Sequence, residues 1–264
     1  MRIYCPSTKI IRDKIVILDP CQIHHLSSVR RLKKGDQVVV FDGKSQEYEC
    51  LIDSIAKNKV ELSVGKIRKA VSAPLEIGCQ RQPADTCGVL SLTGSAELAL
   101  TLACALPKKV KMDYIIEKTV ELGVDRIIPI KTARTIVEYS PEKAKEKLKR
   151  WQAIAVEASK QCGRIKLPQI EPISEFNKVV TQAKDYKLAV IPYLGLDNKS
   201  LKEIFRDSRP ASVIIFIGPE GDFSPREIKL AKENGCIGAS LGDLVLKVDT
   251  AAISVIAFSR LFTS

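Results

Sequence analysis

Short segments with alternating or β-branched residues, separated by turn residues, make up the first 70 residues of the chain. Alternation of apolar and polar positions is typical of strands with one buried face. One helical stretch, HHLSSVRRLKKGD, interrupts these segments and is expected to end at Gly35. Several short strands with one small helix predict a small β-barrel. The predicted strands are residues 14–18, 36–43, 46–55 and 59–67.

From about residue 96, continuous apolar strands alternate with helices. LALTLACAL and SVIIFIG lack polar alternation, which is typical of strands covered on both faces. Ser140-Pro141 and Gly163 carry the signals that begin and end a long helix, which places Trp151 and its apolar neighbours on one face. We predict an α/β domain with a mostly parallel sheet and helices on both faces. The predicted helices are residues 111–123, 141–162, 175–183, 201–205, 225–234 and 250–262, and the predicted strands are residues 98–106, 126–130, 187–193, 212–218 and 238–241.

Residues 71–95 separate the two regions and fit neither pattern. They are rich in Gly, Pro, Ser and Thr, which predicts a linker or an insertion. Cys79 and Cys87 within them are expected to be ordinary thiols. The chain is therefore expected to contain a β-barrel in residues 1–70, a linker in 71–95 and the α/β domain in 96–264.

An excess of positive charge favours a polyanionic partner, either nucleic acid or an anionic membrane surface. Lys and Arg number 42 against 31 Asp and Glu, which gives a formal net charge of +11. Residues 1–70 hold 14 basic and 8 acidic residues, so +6 of this charge belongs to the predicted barrel. The cations that close its helical stretch are expected to contact nucleic-acid phosphates, although a solvated helix end has the same pattern. These cations are Arg30, Arg31, Lys33 and Lys34.

Cysteine usage and hydropathy bear on the cellular compartment of the protein and on whether it spans a membrane. The eight cysteines include no C-x-x-C pair, so we expect reduced thiols, a cytoplasmic location and no metal site. No run approaches the roughly 18 apolar residues that cross a bilayer. The N-terminal stretch, MRIYCPSTKI, lacks the apolar centre of a signal peptide. These features predict a protein that does not span a membrane.

The stretch IGPEGDFSPREIKLAKENG, residues 217–235, runs from an apolar strand through a glycine loop into a helix. It lacks the lysine of a phosphate-binding P-loop, and Glu220 and Asp222 would repel a phosphate. Ser224 and Glu227 have the spacing of a helix capping box. An NTP-dependent enzyme is therefore disfavoured, and the loop is either a plain turn or a site for a cationic or neutral ligand.

Two further loops follow predicted strands and can join this one. IPYLG (191–195) ends one strand, and SLGDLVLKVDT (240–250) leads from another into the last helix. Asp249 or Thr250 can cap that helix. Because ligands of open α/β sheets bind where the carboxyl ends of strands converge, we expect the three loops to form one concave site.

The segment GPEGDFS, followed by SLGDLVLKVDTAA, resembles the SPOUT-class RNA methyltransferases, and more narrowly the family that methylates N3 of a uridine in small-subunit ribosomal RNA. KMDYIIEKTVELGVDRIIPI (111–130), RWQAIAVEASKQCGR (150–164) and HHLSSVRRLKKGD (24–36) also match that family. Three features depart from it. Lys247-Val248-Asp249 stands where the family usually has Arg, a variable residue and Glu; Asp222 replaces a common Gly; and residues 76–95 resemble an insertion.

The resemblance implies a PUA-like barrel that engages RNA, followed by a SPOUT domain tied in a trefoil knot. It also implies a homodimer that acts on 16S ribosomal RNA or the small ribosomal subunit, with S-adenosylmethionine as methyl donor. A sulfonium cation with a neutral adenosine suits acidic loops that have no phosphate clamp. The cofactor-binding residues implied by the resemblance are Leu194, Gly218, Glu220, Gly221, Leu241, Gly242 and Leu246.

Removal of the weakly acidic N3 proton of uracil needs a base, or a cation that stabilises the developing anion on O2 or O4. Arg164 is the first candidate for this cation and Lys247 the second, although each could equally be a surface cation near a helix end. His24 and His25 lie in the barrel and are expected to have structural or RNA-contact roles. The rival function is a non-enzymatic ribosome-assembly factor that binds RNA through the barrel and retains a degenerate knot domain.

Overall fold

The computed structural model describes residues 1–6, 10–11, 13–69, 98–108, 111–195, 198–208 and 210–263. The region predicted as a linker, with Cys79 and Cys87, lies outside the described residues. Within the described residues, no helix is both long and apolar enough to cross a membrane.

A six-stranded sheet occupies the N-terminal part of the chain. Its order is β1-β4-β5-β6-β3-β2, and every pairing is antiparallel except that of β1 with β4. The four strands predicted from alternation are confirmed, whereas β1 and β2 are too short to give a pattern. The strands are β1 (Arg2–Tyr4), β2 (Ile10–Ile11), β3 (Lys14–Ile17), β4 (Gln37–Phe41), β5 (Gln46–Ala56) and β6 (Lys59–Lys69).

The helical stretch of this part begins and ends earlier than predicted. Helix α1 (Pro20–His24) starts at the Asp19 N-cap, and one π-helical turn, His25–Val29, continues it. The stretch ends there rather than at Gly35, because Arg31 has a φ of 52° and the amide of Lys33 donates to the Asp36 carboxylate. The four cations therefore lie on a loop instead of a helix end.

A second sheet of eight parallel strands forms the centre of the C-terminal part. Its order is β10-β8-β7-β13-β11-β14-β12, and β9 pairs with β8. This arrangement confirms the mostly parallel α/β prediction. The strands are β7 (Ala99–Ala105), β8 (Arg126–Lys131), β9 (Gln169–Ile170), β10 (Ser174–Glu175), β11 (Leu188–Pro192), β12 (Lys199–Ser200), β13 (Ser212–Ile217) and β14 (Ile237–Ser240).

Six helices accompany this sheet, and they cover both of its faces. Leu100, Leu102 and Cys104 of β7 belong to one buried cluster, which includes residues of α2, α3, α5 and α7. Ala103 and Ala105 belong to a second cluster with residues of α4 and α6. The alternation of side chains along β7 thus places a helical layer on each side. The helices are α2 (Lys111–Glu121), α3 (Pro141–Cys162), α4 (Phe176–Val180), α5 (Leu201–Ser208), α6 (Pro225–Glu233) and α7 (Val248–Thr263).

The long helix α3 has the ends that the sequence predicts. The Ser140 side chain accepts a hydrogen bond from the backbone of Lys143, and Gly163 ends the helix with a φ of 83°. Trp151 is buried, and its indole N–H donates to Asp113 in α2 at 3.1 Å. The apolar stripe of α3 is therefore core, as expected.

The end of α3 also joins the two parts of the chain. Arg2 of β1 donates to the backbone oxygen of Arg164 at 3.4 Å, and its guanidinium lies 5.0 Å from the centre of the Phe41 ring. The backbone N–H of Leu167 donates to the carbonyl of Gly43 at 2.9 Å. The N-terminal sheet therefore contacts the segment that leaves α3.

An aspartate at the amino end of the second sheet links three helices. One oxygen of Asp125 accepts from Arg164 at 2.8 Å, and the other accepts from the backbone of Leu100 at 3.0 Å. Arg164 also donates to the carbonyl of Val124, and Arg260 of α7 lies 3.6 Å from Asp125. These bonds connect the residues that follow α2 and α3 to the end of α7. The trefoil knot stays a prediction, because strand pairing does not define a knot.

Replacing Arg164 with alanine is expected to lower the free energy of unfolding by about 2 kcal/mol, since a hydrogen bond to a charged group contributes roughly 1.5–3 kcal/mol. Urea unfolding followed by circular dichroism measures the change. Lys166→Ala is the matched control, because its ammonium lies 4.0 Å from the same carboxylate and is 68% exposed. It should change the stability by less than about 0.5 kcal/mol. Unchanged stability in Arg164→Ala would contradict this structural role.

Candidate active site

A cavity of about 370 Å³ opens at the carboxyl ends of three neighbouring strands. Strand β11 lies between β13 and β14 and runs parallel to both, so the loops that follow the three strands emerge side by side. The expected convergence of three loops in one concave site is therefore present. The loop that follows β13 contributes Gly218, Pro219, Glu220 and Asp222; the end of β11 and the residues after it contribute Pro192, Tyr193, Leu194 and Gly195; and β14 and the stretch into α7 contribute Ala239 to Gly242, Leu244 to Val248 and Ala251.

The loop after β13 is anchored by the predicted capping box. Ser224 accepts from the backbone of Glu227, and the Glu227 carboxylate accepts from the backbone of Ser224 at 2.8 Å. The other oxygen of Glu227 accepts from the backbone of Ala133 at 2.8 Å, and the residue is buried. This glutamate therefore fixes the start of α6 and also ties it to the loop that follows β8.

Three successive residues of the same loop reach three different strand ends. The Glu220 carboxylate accepts from the backbone of Lys108, after β7, at 3.1 Å. The Gly221 carbonyl accepts from Arg134, after β8, at 2.6 Å. The Asp222 carboxylate accepts from the backbone of Leu194, after β11, at 3.1 Å. The loop is thus held in place from three sides by contacts within the chain.

Glycines of the site have different physical reasons to be glycine. A Cβ at Gly218 would lie 3.1 Å from the ring of Phe223, so that ring would have to shift by a few tenths of an ångström to admit a side chain. Gly242 has a φ of +110°, a backbone conformation that L-residues with a side chain rarely adopt. In the loop after β13 the positive φ belongs to Asp222, at 60°, and not to the neighbouring Gly221. A Cβ at Gly221 would meet only Arg134, at an ordinary 3.5 Å.

The third wall combines an apolar loop with charges at the start of α7. Leu244 and Val245 are exposed, and Lys247 lines the cavity beside Leu246. Lys111 of α2 lies 3.3 Å from Asp249. Partial burial raises the pKa of Asp249, but hydrogen bonds from its own backbone and from Lys111 more than offset this and leave the pKa below its usual value. This acid is therefore ionised and paired with Lys111 at neutral pH.

Among the described residues that line the cavity, acidic groups outnumber basic ones. Glu220 and Asp222 line it together with one cation, Lys247. Cys104 lies behind the wall, where burial and the charges of Glu220 and Asp249 raise the pKa of its thiol to about 12. A cavity with this lining favours a ligand that carries positive charge or none. Because its pKa is raised, Cys104 is a neutral thiol at neutral pH and has no role as a thiolate.

Most of the sequence-predicted site residues meet in this cavity. Leu194, Gly218, Glu220, Leu241, Gly242 and Leu246 line it, and so does Lys247. Gly221 is adjacent but does not line it. Arg164 lies at the amino end of the sheet, where Asp125 and backbone carbonyls bind its guanidinium. This position gives no support to direct contact between Arg164 and a ligand in this cavity.

Several residues of the site escaped the sequence-based prediction. The Arg134 side chain and the Lys108 backbone N–H hold the loop after β13 by hydrogen bonds. Such long-range contacts leave no local pattern in the sequence. Tyr193 lines the cavity just after the end of β11. Its place after an apolar strand, in the segment IPYLG, is the sequence signal that could have identified it. Among the described residues, no group of three or more His, Cys, Asp or Glu could hold a metal ion.

The basic cluster of the N-terminal part faces solvent. Arg30, Arg31, Lys33 and Lys34 are all exposed, and none has an ion pair among the described contacts. A loop that presents four such cations has the composition of a phosphate-contact surface.

Comparisons with known proteins agree with this geometry. Residues 18–65 match the family model described as RNA methyltransferase PUA domain. Residues 95–260 match the model described as RNA methyltransferase domain. The second match covers more than half of the chain and includes all three loops of the cavity.

Among solved structures, a methyltransferase of Legionella pneumophila in complex with S-adenosylmethionine is 28% identical, with a TM-score of 0.81 over 99% of this chain and 97% of that chain. A ribosomal RNA small subunit methyltransferase E from Neisseria gonorrhoeae, bound to S-adenosyl methionine, has the same fold at 23% identity. Its TM-score is 0.78 over 99% of this chain and 97% of that chain.

Two curated relatives carry the name ribosomal RNA small subunit methyltransferase E. The protein of Synechocystis is 30% identical over 249 residues, which cover 94% of this chain and 73% of the relative. The protein of Bacillus subtilis is 28% identical over 248 residues, which cover 90% of this chain and 87% of the relative. The chain therefore belongs to the RNA methyltransferase family and, within it, to the ribosomal RNA small subunit methyltransferase E proteins.

Proposed function

We propose that the protein transfers a methyl group from S-adenosylmethionine to N3 of a uridine in the 16S ribosomal RNA of the small subunit. The observation that carries this proposal is the cavity where β13, β11 and β14 end, which combines apolar walls and two carboxylates with no glycine-lysine phosphate loop. The known relatives act as small-subunit ribosomal RNA methyltransferases by name, and two of the similar structures hold the cofactor.

The cavity suits the chemistry of this cofactor. Leu194, Leu241 and Leu246 offer apolar contact to a neutral adenine, while Glu220 and Asp222 favour a positively charged sulfonium. Bound S-adenosylmethionine supplies a methyl group that is activated for direct displacement. The protein then contributes orientation of the two reactants and exclusion of water.

Lys247 is the residue that we assign to charge stabilisation. It lines the cavity, and a cation there can stabilise negative charge on O2 or O4 of uracil as the N3 proton leaves. Arg164, the first candidate from the sequence, is bound to Asp125 at the amino end of the sheet, away from the cavity at the carboxyl ends of the strands. It takes no part in this proposal.

The N-terminal sheet is assigned to RNA binding through its exposed cations. The cluster Arg30, Arg31, Lys33 and Lys34 supplies phosphate contacts, and the sheet is held to the α/β part through Leu167 and Arg2. Ribosomal RNA as the substrate implies a cytoplasmic location. The same part of the chain would serve the rival function, an RNA-binding assembly factor without methyl transfer.

The function is tested with purified protein, labelled S-adenosylmethionine and either 16S ribosomal RNA or small subunits. We expect label in the RNA, and mass spectrometry of the digested RNA should identify N3-methyluridine. Loss of this nucleoside in a strain that lacks the protein, with recovery when the gene is returned, would establish the cellular role. RNA binding without methyl transfer or cofactor binding would favour the assembly factor.

Gly242→Ala is expected to weaken S-adenosylmethionine binding about tenfold, because a strained residue costs on the order of 1–3 kcal/mol and the loop must shift to relieve it. Isothermal titration calorimetry measures the affinity. Gly221→Ala is the matched control, since its Cβ meets only an ordinary contact and the residue does not line the cavity. Equal affinities of the two variants would show that the loop after β14 does not shape the cofactor site.

Replacing Arg30, Arg31, Lys33 and Lys34 with glutamine is expected to lower the log–log salt slope of RNA binding by roughly 3 units, at about 0.7–0.9 per phosphate contact. Fluorescence anisotropy with an RNA fragment at several salt concentrations measures the slope. A matched control removes four exposed lysines of the α/β part, namely Lys178, Lys184, Lys202 and Lys229. The same slope in both variants would assign the basic loop to solubility alone.

The protein is expected to form a homodimer through its knotted C-terminal part. Leu244, Val245 and Leu261 are each more than three-quarters exposed in the single chain, at 78%, 76% and 77%. Apolar side chains of this size are commonly covered in an assembly. Light scattering at micromolar concentration should give twice the chain mass of 29.2 kDa. A mass equal to one chain would contradict the proposal.

A further inference from the structure

Asp222 has an unusual backbone conformation for its residue type. Together with Arg31, it is one of two described non-glycine residues with positive φ, at 60°. Glycine adopts this region without strain, whereas an L-residue with a Cβ does so at a cost. Aspartate tolerates it better than most because its short side chain can bond to nearby backbone. The presence of a side chain here therefore calls for a compensating interaction.

Both carboxylate oxygens of Asp222 have a partner. Oδ1 accepts from the backbone of Phe223 at 2.8 Å, and Oδ2 accepts from the backbone of Leu194 at 3.1 Å. The backbone N–H of Asp222 donates to the Pro219 carbonyl at 2.9 Å, which closes the turn. One oxygen thus fixes the local turn, and the other reaches across to the loop that follows β11.

The bond to Leu194 joins two walls of the cavity beyond the end of the sheet. The recorded pairing of β11 with β13 ends where Val190 lies opposite Ile215. Asp222 and Leu194 lie several residues past this point, and both line the cavity. The other anchors of the loop, Glu220 and Arg134, hold it towards β7 and β8. Among the described hydrogen bonds of this loop, the one that the Asp222 side chain accepts from Leu194 reaches the β11 side.

We propose that Asp222 is a positioning residue that ties the loop after β13 to the loop after β11 and so preorganises the cofactor cavity. The inference rests on the proposed function, since S-adenosylmethionine is the ligand whose affinity it sets. Leu194 is 69% exposed, so few packing contacts hold it apart from this bond. Without the tie, the two walls must be ordered when the ligand arrives, and that ordering lowers the affinity.

Two substitutions of Asp222 distinguish a residue that ties two loops together from one that only forms the local turn. Asp222→Gly removes the tie and relieves the backbone strain, so the melting temperature should stay equal or rise. Its affinity for S-adenosylmethionine, and for the product S-adenosylhomocysteine, which lacks the sulfonium charge, should fall about tenfold, since a tenfold change equals roughly 1.4 kcal/mol. Asp222→Asn tolerates positive φ but has one oxygen acceptor for the two N–H donors, so it can serve either Leu194 or Phe223. Its affinity for both ligands should lie between those of the wild type and Asp222→Gly.

Isothermal titration calorimetry of the full-length protein and its variants with both ligands, together with thermal melts, provides the test. In a methyl-transfer assay, Asp222→Gly should raise KM for S-adenosylmethionine and leave kcat nearly unchanged. Asp243→Asn, in a neighbouring loop but outside the cavity lining, controls for the removal of one negative charge and should behave as wild type.

Three outcomes can be told apart. Wild-type affinity in Asp222→Gly would overturn the proposal, because the tie would then contribute nothing. A loss in Asp222→Gly that is confined to S-adenosylmethionine, with wild-type affinity for S-adenosylhomocysteine, would also overturn it, because the charge rather than the hydrogen bond would be responsible. A wild-type protein that binds neither ligand would contradict the proposed function itself, whatever the variants do.

Discussion

The position of β11 between β13 and β14, parallel to both, is the constraint on which the site depends. Parallel strands send their carboxyl ends to the same edge, so three chain segments that are distant in sequence meet without any further device. The apolar runs of β11 and β13 secure the arrangement, since their buried side chains belong to cores on both faces of the sheet. The chemistry of the site is then left to the loops.

The loop after β13 shows how a flexible-looking stretch becomes a fixed wall. Its capping box sets the direction in which α6 leaves. The second carboxylate oxygen of the buried Glu227 accepts a hydrogen bond from the backbone of Ala133, after β8. Glu220, Gly221 and Asp222 each bond to a different neighbouring loop. Carboxylates that already hold such bonds are oriented, and oriented charges stabilise a cation at little cost in reorganisation.

Local patterns in the sequence were sufficient for the long strands and helices and for the regions that form the cavity. They failed where distant parts of the chain decide the outcome. The two-residue strands β9, β10 and β12 are defined only by their partners. The early end of the basic stretch is a separate failure with a local cause, namely the positive φ of Arg31 and the hydrogen bond from the Lys33 amide to Asp36. Arg164 occurs in a segment typical of the family, yet its guanidinium is bound to Asp125, a partner 39 residues earlier. No periodicity reveals a contact of that kind.

The pairing of β7 with β13 has a consequence for how the chain acquires its fold. Ala99 lies opposite Ser212, so the centre of the second sheet joins segments from opposite ends of the α/β part. Contacts of such long sequence separation make folding slow, and they cannot form during synthesis until β13 has left the ribosome. The N-terminal sheet pairs strands that are close in sequence, apart from the return of β3 to β6 and of β1 to β4. During translation the N-terminal sheet can therefore be complete while the edge of β7 that pairs with β13 is still exposed.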